Sequence, residues 1–192
     1  MLNSDYRKLC PVDLPYAGRQ KYMHSFDLRL PVMAVGFEDY LEPVVALCAA
    51  AGATTGLAHM TVDEKIVVAG MSQRRPKPHV DGCFIPARAS WGHDGNSGWA
   101  HGCNNIPLED FKRMPVIVAA SAVGCRAWRG IFDAQPASDG DLSHLSLGDG
   151  EVLPANVGYL LSADCVHESM IHVVDTRRTF LRIALPVDNV WI

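Results

Sequence analysis

The clearest periodic pattern of apolar positions lies in residues 37 to 52, which read FEDYLEPVVALCAAAG. Its apolar side chains recur at the spacing of one helix face: Leu41, Val44, Val45, Leu47 and Cys48. Acidic residues crowd the start of the segment, and Gly52 can end a helix in the left-handed conformation. Pro43 is compatible only with a first turn. We therefore predict a helix over about residues 40 to 51.

After this helix the pattern changes to short runs rich in β-branched and aromatic residues. Gly, Pro, Asn and Asp separate the runs, as is typical of strands joined by turns. The runs are residues 64 to 71, 79 to 86, 115 to 123, 125 to 132, 156 to 163, 166 to 174 and 178 to 185. Because no helices alternate with them, they predict an antiparallel sandwich or barrel. The expected fold class is mostly β with a flanking helix.

A long Gly- and Asn-rich connection, residues 87 to 110, interrupts these strands. It carries four large or titratable side chains: Trp91, His93, Trp99 and His101. Connections of this length are usually functional or disordered, and the tryptophans argue against disorder alone. The four side chains are candidate substrate contacts. The alternative is that the tryptophans only pack the loop against the domain.

Composition narrows the class of protein. A chain of 192 residues with 48% hydrophobic residues is expected to form one domain over residues 1 to 192. Its net charge of −4 gives no global reason to expect a nucleic acid or an anionic membrane as partner. The first residues do not resemble a secretion signal, and no apolar run is long enough to cross a bilayer. We therefore expect a cytoplasmic protein without membrane contact.

The six cysteines are scattered without a CxxC pair. Such a distribution fits neither a disulfide framework nor a zinc ribbon. In a reducing compartment they are expected to pack as small apolar side chains. Cys165 lies two residues before His167, close enough to be its neighbour in a site, but simple packing is the favoured interpretation.

The stretch PKPHVDG, residues 76 to 82, contains the first candidate chemistry. Side chains two apart on a strand point the same way, so His79 and Asp81 can present an imidazole and a carboxylate to one metal ion. Pro76 and Pro78 favour the extended backbone that this requires. On its own the pair is a weak signal, since short motifs of this kind also arise by chance.

The C-terminal segment contains a candidate third ligand and candidate arginines for a carboxylate. His167 opens the predicted strand over residues 166 to 174, and the next predicted strand begins with arginines. Two histidines and one aspartate form the facial triad that leaves positions open on Fe(II). An arginine beside such a site can hold a carboxylate through two parallel hydrogen bonds. His172 is a rival ligand, but as a strand residue it would lie on the opposite face, so we expect it to be a surface or packing histidine.

The order of these parts resembles the Fe(II)/2-oxoglutarate-dependent oxygenases. The chain has an HxD pair, a long gap, a distal histidine and an arginine about ten residues later. The letters HES, followed by RTFLRI, are similar to the prolyl-hydroxylase-like and alkylation-repair-like branches. The resemblance covers about residues 57 to 186.

The resemblance implies a double-stranded β-helix, which is a jelly roll of the cupin-like kind, over about residues 57 to 186. It implies Fe(II) bound by His79, Asp81 and His167, with 2-oxoglutarate and O2 as co-substrates. Arg178 is the expected anchor of the far carboxylate of 2-oxoglutarate, because an aliphatic residue follows it three positions later. Arg182 lies on the same strand face and is the fallback, and Arg177 fits the pattern less well. The implied reaction is hydroxylation or oxidative demethylation, with release of succinate and CO2.

The substrate class is left more open. A compact acidic chain without an appended recognition domain favours a small molecule or an amino acid. The basic cluster of Arg74, Arg75 and Lys77 is expected to be a solvated strand end, but it keeps a nucleotide or another anion in consideration, as well as a protein side chain. Two other functional classes also compete. One is a jelly-roll binding module without turnover, and the other is a cupin-type metal enzyme without 2-oxoglutarate, although the chain has no HxH motif.

Overall fold

The computed structural model describes residues 1–81, 113–137 and 140–187. Within these ranges the chain forms a 3₁₀ turn at Glu38–Tyr40, one α-helix, α1 (Leu41–Ala51), and eleven strands. The strands are β1 (Leu2–Ser4), β2 (Tyr6–Pro11), β3 (Gln20–Asp27), β4 (Leu57–Val67), β5 (Val116–Ala120), β6 (Cys125–Trp128), β7 (Gly130–Phe132), β8 (Glu151–Leu153), β9 (Val157–Leu161), β10 (Val166–Ser169) and β11 (Thr176–Ala184). No helix of the described residues has the length and apolar character needed to cross a membrane.

The predicted helix is confirmed. Pro43 lies in the first turn of α1, and Gly52 ends the helix with φ of 78°. The amide of Gly52 donates a hydrogen bond to the carbonyl of Ala49 over 3.0 Å. The buried positions are Pro43, Val44, Leu47 and Cys48, whereas Val45 is 46% exposed. The helix therefore packs through a narrower apolar face than the sequence pattern predicts.

The strands form antiparallel sheets. The largest has six strands in the order β2-β9-β5-β11-β4-β3, and a second has three in the order β10-β6-β8. A third, two-stranded sheet pairs β1 with β7. The expectation of a mostly β chain with a flanking helix is thus confirmed.

Three apolar clusters hold these elements together. One lies between α1 and the outer face of the six-stranded sheet, and it includes Leu47, Met60 and Ile183. A second fills the space between the six-stranded and three-stranded sheets, where Val118 and Phe180 meet Ala127 and Leu153. A third packs Leu142 and Val80 against Trp128 and Val166 of the three-stranded sheet. The six-stranded sheet is therefore buried on both faces.

Several strand predictions need correction. The strands before the helix, β1 to β3, were missed because their sequences are short or rich in polar residues. Strand β4 begins at Leu57 instead of 64 and ends at Val67. Its polar residues obscure the apolar pattern, although His59, Thr61 and Asp63 are all buried. Of the predicted strand over residues 79 to 86, His79 forms isolated bridges, and residues 82 to 86 lie outside the described part of the chain.

Alternation along β11 divides its side chains between the two faces of the six-stranded sheet. Leu181 and Ile183 belong to the cluster under α1, so the odd-numbered positions face outward. Phe180 belongs to the cluster between the sheets, so Arg178 and Arg182 also face inward. Both arginines are buried, with exposures of 1% and 5%. The strand thus carries two arginines into the interior between the sheets.

Candidate metal centre

His79 and His167 lie directly opposite each other on neighbouring extended segments. The amide of His79 donates to the carbonyl of His167 over 2.9 Å, and the amide of His167 donates back over 3.0 Å. These mutual bonds form an isolated antiparallel bridge at the start of β10. The two rings have their centroids 4.4 Å apart. Main-chain pairing therefore brings together two histidines that are distant in sequence.

The side chain of Asp81 completes a group of three metal-binding side chains. One ligand atom from each of His79, Asp81 and His167 lies within 4.8 Å of the other two. The Oδ1 atom of Asp81 is 3.9 Å from the Nε2 atom of each histidine. The structure therefore brings together the three residues that the sequence predicts as ligands, and their ligand atoms face a common point.

Backbone carbonyls fix the orientation of both imidazoles. The Nδ1 atom of His79 lies 2.6 Å from the carbonyl oxygen of Lys77, and that of His167 lies 2.9 Å from the carbonyl oxygen of Cys165. A carbonyl oxygen only accepts hydrogen bonds, so each Nδ1 carries the proton. The Nε2 lone pairs are then free and directed at the common point, as is usual for metal-binding histidines.

Arg182 holds the carboxylate of Asp81 in place. Its Nε atom donates to Oδ2 over 2.8 Å, which leaves Oδ1 facing the histidines. Burial on its own raises the pKa of Asp81, but Arg182 and the two histidines outweigh it and hold the pKa below its usual value. Asp81 is thus charged at neutral pH. Arg182, predicted as a fallback anchor for 2-oxoglutarate, contacts the carboxylate of a candidate ligand.

His79 is held in the form that a metal requires. Burial and the neighbouring His167 lower the pKa of His79 to about 3, so its imidazole is neutral near pH 7. Metal ions bind neutral imidazole and ionised carboxylate, and no proton must leave either side chain at that pH. Two imidazoles and one carboxylate form a donor set suited to a divalent transition metal, with further coordination positions left open. The buried group can therefore hold a metal ion.

Cys165 contributes to this arrangement through its main chain. Its carbonyl accepts the bond from His167, whereas its side chain is 1% exposed and packs in the cluster between the sheets. Burial raises the pKa of its thiol well above the usual value. The expectation that this cysteine is a packed apolar residue agrees with its position.

Arg178 is an almost fully buried cation on the same inner face. Its Nε atom donates to the carbonyl of Ala122 over 3.0 Å, and its Nη1 atom donates to Oε1 of Gln73. Both acceptors are neutral, and in the described part of the chain Nη2 makes no hydrogen bond. Burial lowers the pKa of Arg178 to about 10, so the side chain still carries its charge at neutral pH.

The nearest acid does not neutralise Arg178. Asp63 pairs with Lys65 at 3.2 Å and approaches Arg74 at 3.9 Å, and no described carboxylate lies within ion-pair distance of Arg178. Arg74 and Arg178 each lie 5.7 Å from the centroid of the Phe180 ring. The interior near Phe180 therefore carries an excess of positive charge among the described residues.

A narrow cavity reaches Arg178 between the two large sheets. Arg178 is the charged residue of its lining, and the other walls include Gly124, Cys125, Tyr159 and Phe180. Cys125, in the wall of this cavity, is close enough to both Arg178 and Asp81 for their charges to act on its thiol.

The remaining predicted residues divide into three groups. Arg177 faces outward, is exposed, and stacks on Tyr16 with 4.0 Å between its Cζ atom and the ring centroid. Arg74 and Arg75 are partly buried and paired with acids, which corrects the expectation of a solvated strand end for these two, whereas Lys77 is exposed. The predicted substrate contacts lie outside the described residues: Trp91, His93, Trp99 and His101.

Sequence reasoning missed Gln73, and the strand-face argument it used for His172 does not apply. Gln73 bonds Arg178, and its own amide nitrogen donates to the carbonyl of Asp63 over 2.6 Å. His172 was placed on a regular strand, but β10 ends at Ser169, so the rule of alternating faces does not apply to it. The polar character of residue 73 beside a basic cluster was the one available signal, and it does not reveal a contact made across the sheet.

Comparison with known proteins does not identify a family for this chain. A scan against models of protein families finds no matching family, and a search of curated proteins finds no match. The functional assignment therefore depends on the arrangement of the side chains.

Proposed function

We propose that this protein is an Fe(II)- and 2-oxoglutarate-dependent dioxygenase. The observation that carries the proposal is the buried Arg178, which has no acid partner among the described residues and shares the inner face of β11 with the Asp81-bound Arg182. A buried guanidinium without a carboxylate is costly, so an anionic ligand is its natural partner. A metal group and a carboxylate anchor between the same two sheets are the two parts that binding of a 2-oxo acid requires.

The path of the chain supports a double-stranded β-helix as the fold. From β4 onward the chain alternates between the six-stranded sheet and the sheet of β10, β6 and β8. Among the described residues, strand β4 is followed by the extended residues at His79, then by β5, β6, β7, β8, β9, β10 and finally β11, and of these β7 pairs with β1 outside the two large sheets. The resulting orders, β9-β5-β11-β4 in one sheet and β8-β6-β10 with His79 bridged to β10 in the other, are the orders expected of a double-stranded β-helix. The metal group lies at the edge of the second sheet, and its Asp81 reaches Arg182 on the inner face of β11.

Each side chain then has a defined task. His79 and His167 present Nε2 to the metal, and Asp81 presents Oδ1 while Arg182 holds its other oxygen. Arg178 binds the far carboxylate of 2-oxoglutarate, and the apolar walls around Phe180 exclude water from the ion pair. When bound, Fe(II) with 2-oxoglutarate and O2 supplies the oxidising chemistry that hydroxylates a C–H bond and releases succinate and CO2.

For the substrate we propose a small molecule or an amino acid. Arg74 lies next to Phe180 but already approaches Asp63 at 3.9 Å, so it does not by itself favour an anionic substrate. A nucleotide and a protein side chain are the alternatives that a panel of compounds tests. Stimulation of succinate formation by one class, and not by the others, assigns the substrate.

The direct test is succinate formation from 2-oxoglutarate with Fe(II) and O2 in wild-type protein and in His79→Ala. The exposed His144 provides a matched control, His144→Gln, because it lies apart from the three ligands. We expect iron-dependent succinate in the wild type and in the control, and none in His79→Ala. Absence of both 2-oxoglutarate binding and iron-dependent succinate would contradict the proposal. Binding without turnover would favour the jelly-roll binding module, and iron-dependent turnover without 2-oxoglutarate would favour the cupin-type enzyme.

A further inference from the structure

His172 is a buried histidine whose inward nitrogen has no partner among the described residues. The residue is 8% exposed, and its Nε2 atom is buried without a hydrogen bond there. Nearly all buried polar atoms in folded proteins are hydrogen-bonded, so an unpartnered one needs an explanation. A ligand that is bound in the working protein is such an explanation.

The backbone of His172 is held firmly on both sides. Its amide donates to the carbonyl of Met71 over 2.9 Å, and its carbonyl accepts a bond from the amide of Gly70 over 2.8 Å. The segment therefore presents the ring from a fixed main chain. Burial and the nearby Arg178 lower the pKa of His172, so the ring is neutral and has one N–H to donate.

Gly124 shows where this ring points. A Cβ atom built on Gly124 would lie 2.8 Å from Nε2 of His172, 3.0 Å from Nε of Arg178 and 3.1 Å from its Cζ. The imidazole and the guanidinium therefore converge on one point beside Gly124. Because Gly124 and Arg178 both line the cavity between the sheets, this point borders the proposed site for the keto-acid. A side chain at position 124 would clash with both groups, so only glycine lets them lie this close to the main chain.

We propose that His172 is a second anchor for the carboxylate that Arg178 binds, and that it donates Nε2–H to that carboxylate. Arg178 supplies the charge, His172 supplies a directional donor, and Gly124 lets the two groups lie side by side. The pair selects a 2-oxo acid with a carboxylate at its far end over one with a methyl group there. This inference rests on the proposed function, because it takes 2-oxoglutarate as the ligand of Arg178.

The test measures ligand binding and needs no turnover. The full chain is loaded with Mn(II), and the dissociation constants of 2-oxoglutarate and 2-oxopentanoate are measured by calorimetry. The second compound has a methyl group in place of the far carboxylate. In His172→Phe we expect 2-oxoglutarate to bind about tenfold more weakly, the loss of one hydrogen bond to a charged group. Binding of 2-oxopentanoate should change by less than about twofold, since it makes no such bond.

Two further variants separate binding from folding. His172→Gln keeps a donor and should restore part of the affinity for 2-oxoglutarate. Gly124→Ala keeps every donor, but its Cβ would push His172 and Arg178 apart, so it should weaken the binding of 2-oxoglutarate more than that of 2-oxopentanoate. His144→Gln is the exposed control and should bind both compounds as the wild type does.

The outcomes distinguish this inference from the proposed function. If wild-type protein binds 2-oxoglutarate and His172→Phe binds it equally well, His172 is no anchor, and the oxygenase proposal is unaffected. An equal loss of both compounds in His172→Phe would indicate a structural role and would also overturn the inference. If the metal-loaded wild type does not bind 2-oxoglutarate, both proposals fail together. Should His172→Phe not fold, Gly124→Ala with normal 2-oxoglutarate affinity would reject the inference.

Discussion

Two buried charged side chains on neighbouring strands of the six-stranded sheet have opposite surroundings. Glu64 lies on the outer face beneath the helix, and its carboxylate accepts bonds from Tyr40 at 2.6 Å and from Arg19 at 2.9 Å. The backbone amides of Ala17 and Arg19 also donate to it. Arg178 lies on the inner face, where its described partners are one carbonyl and one amide oxygen. Glu64 is fully paired, whereas Arg178 has no acid.

This difference separates a structural charge from a binding charge. A buried charge that its own chain neutralises holds neighbouring segments together, as Glu64 does for the loop at Ala17 and the turn at Tyr40. A buried charge that its own chain leaves without a counter-charge stabilises nothing by itself and favours a ligand of opposite sign. The unpartnered nitrogen of His172 lies beside Arg178.

The largest effect is expected from Glu64→Ala. The substitution leaves Arg19 and Tyr40 without their shared acceptor and should lower the free energy of unfolding by about 4 kcal/mol. Urea unfolding of the metal-free protein measures this loss in the free energy of unfolding. Metal affinity should be unchanged, because Glu64 is on the other face of the sheet. A loss below about 1 kcal/mol would show that the network is less important than its geometry indicates.

The candidate metal group should affect the stability that added metal gives, whereas Glu64 affects the stability of the metal-free protein. At a metal concentration about 100 times the dissociation constant, Mn(II) or Fe(II) should stabilise the wild type by about 2.7 kcal/mol. In His167→Gln this stabilisation should disappear, because one of the three ligands is lost. Thermal melting with and without metal checks it, with His144→Gln as the control. Equal stabilisation of His167→Gln and the wild type would exclude His167 as a ligand.

The free energy of unfolding should depend on pH through the carboxylate of Glu64. Burial on its own raises the pKa of Glu64, but bonds from Arg19 and Tyr40 lower it to about 2, from an ordinary value of 4.5. Its contribution is therefore fully present above pH 4.5 and is lost as the pH falls toward 2. Between pH 6 and pH 3 the stability difference between wild type and Glu64→Gln should narrow by about 2 kcal/mol. A difference that stays constant over this range would contradict the shifted pKa.

The smallest effect on stability is expected from Arg178→Met. Loss of two hydrogen bonds is offset by removal of a buried charge, so the free energy of unfolding should change by less than about 1 kcal/mol. Affinity for 2-oxoglutarate should nevertheless fall sharply, which calorimetry measures. The neighbouring Arg177→Met is the matched control, because Arg177 is exposed on the outer face. A large loss of stability in Arg178→Met would make Arg178 a structural charge like Glu64.

The ligands of the candidate metal group could be predicted from the sequence because two of them are neighbours. His79 and Asp81 are two residues apart, so an extended backbone directs both to one side. Side chains alternate between the two faces of a strand, so the sequence also predicts that Arg177 and Arg178 lie on opposite faces. The same rule predicts that Arg178 and Arg182 share a face. Strands β2 and β3 could not be predicted, because edge strands rich in polar residues lack a clear apolar period.

By itself the sequence determined the helix with its glycine end, the change to strands after it and the chemical types of the candidate metal ligands. These features depend on backbone preferences and periodicities that act over a few residues. Only the tertiary structure decided that His79 faces His167, that Gln73 reaches Arg178 and that His172 meets Arg178 beside Gly124. Those contacts depend on how strands distant in sequence pair and on where β10 ends, and no local pattern encodes that register.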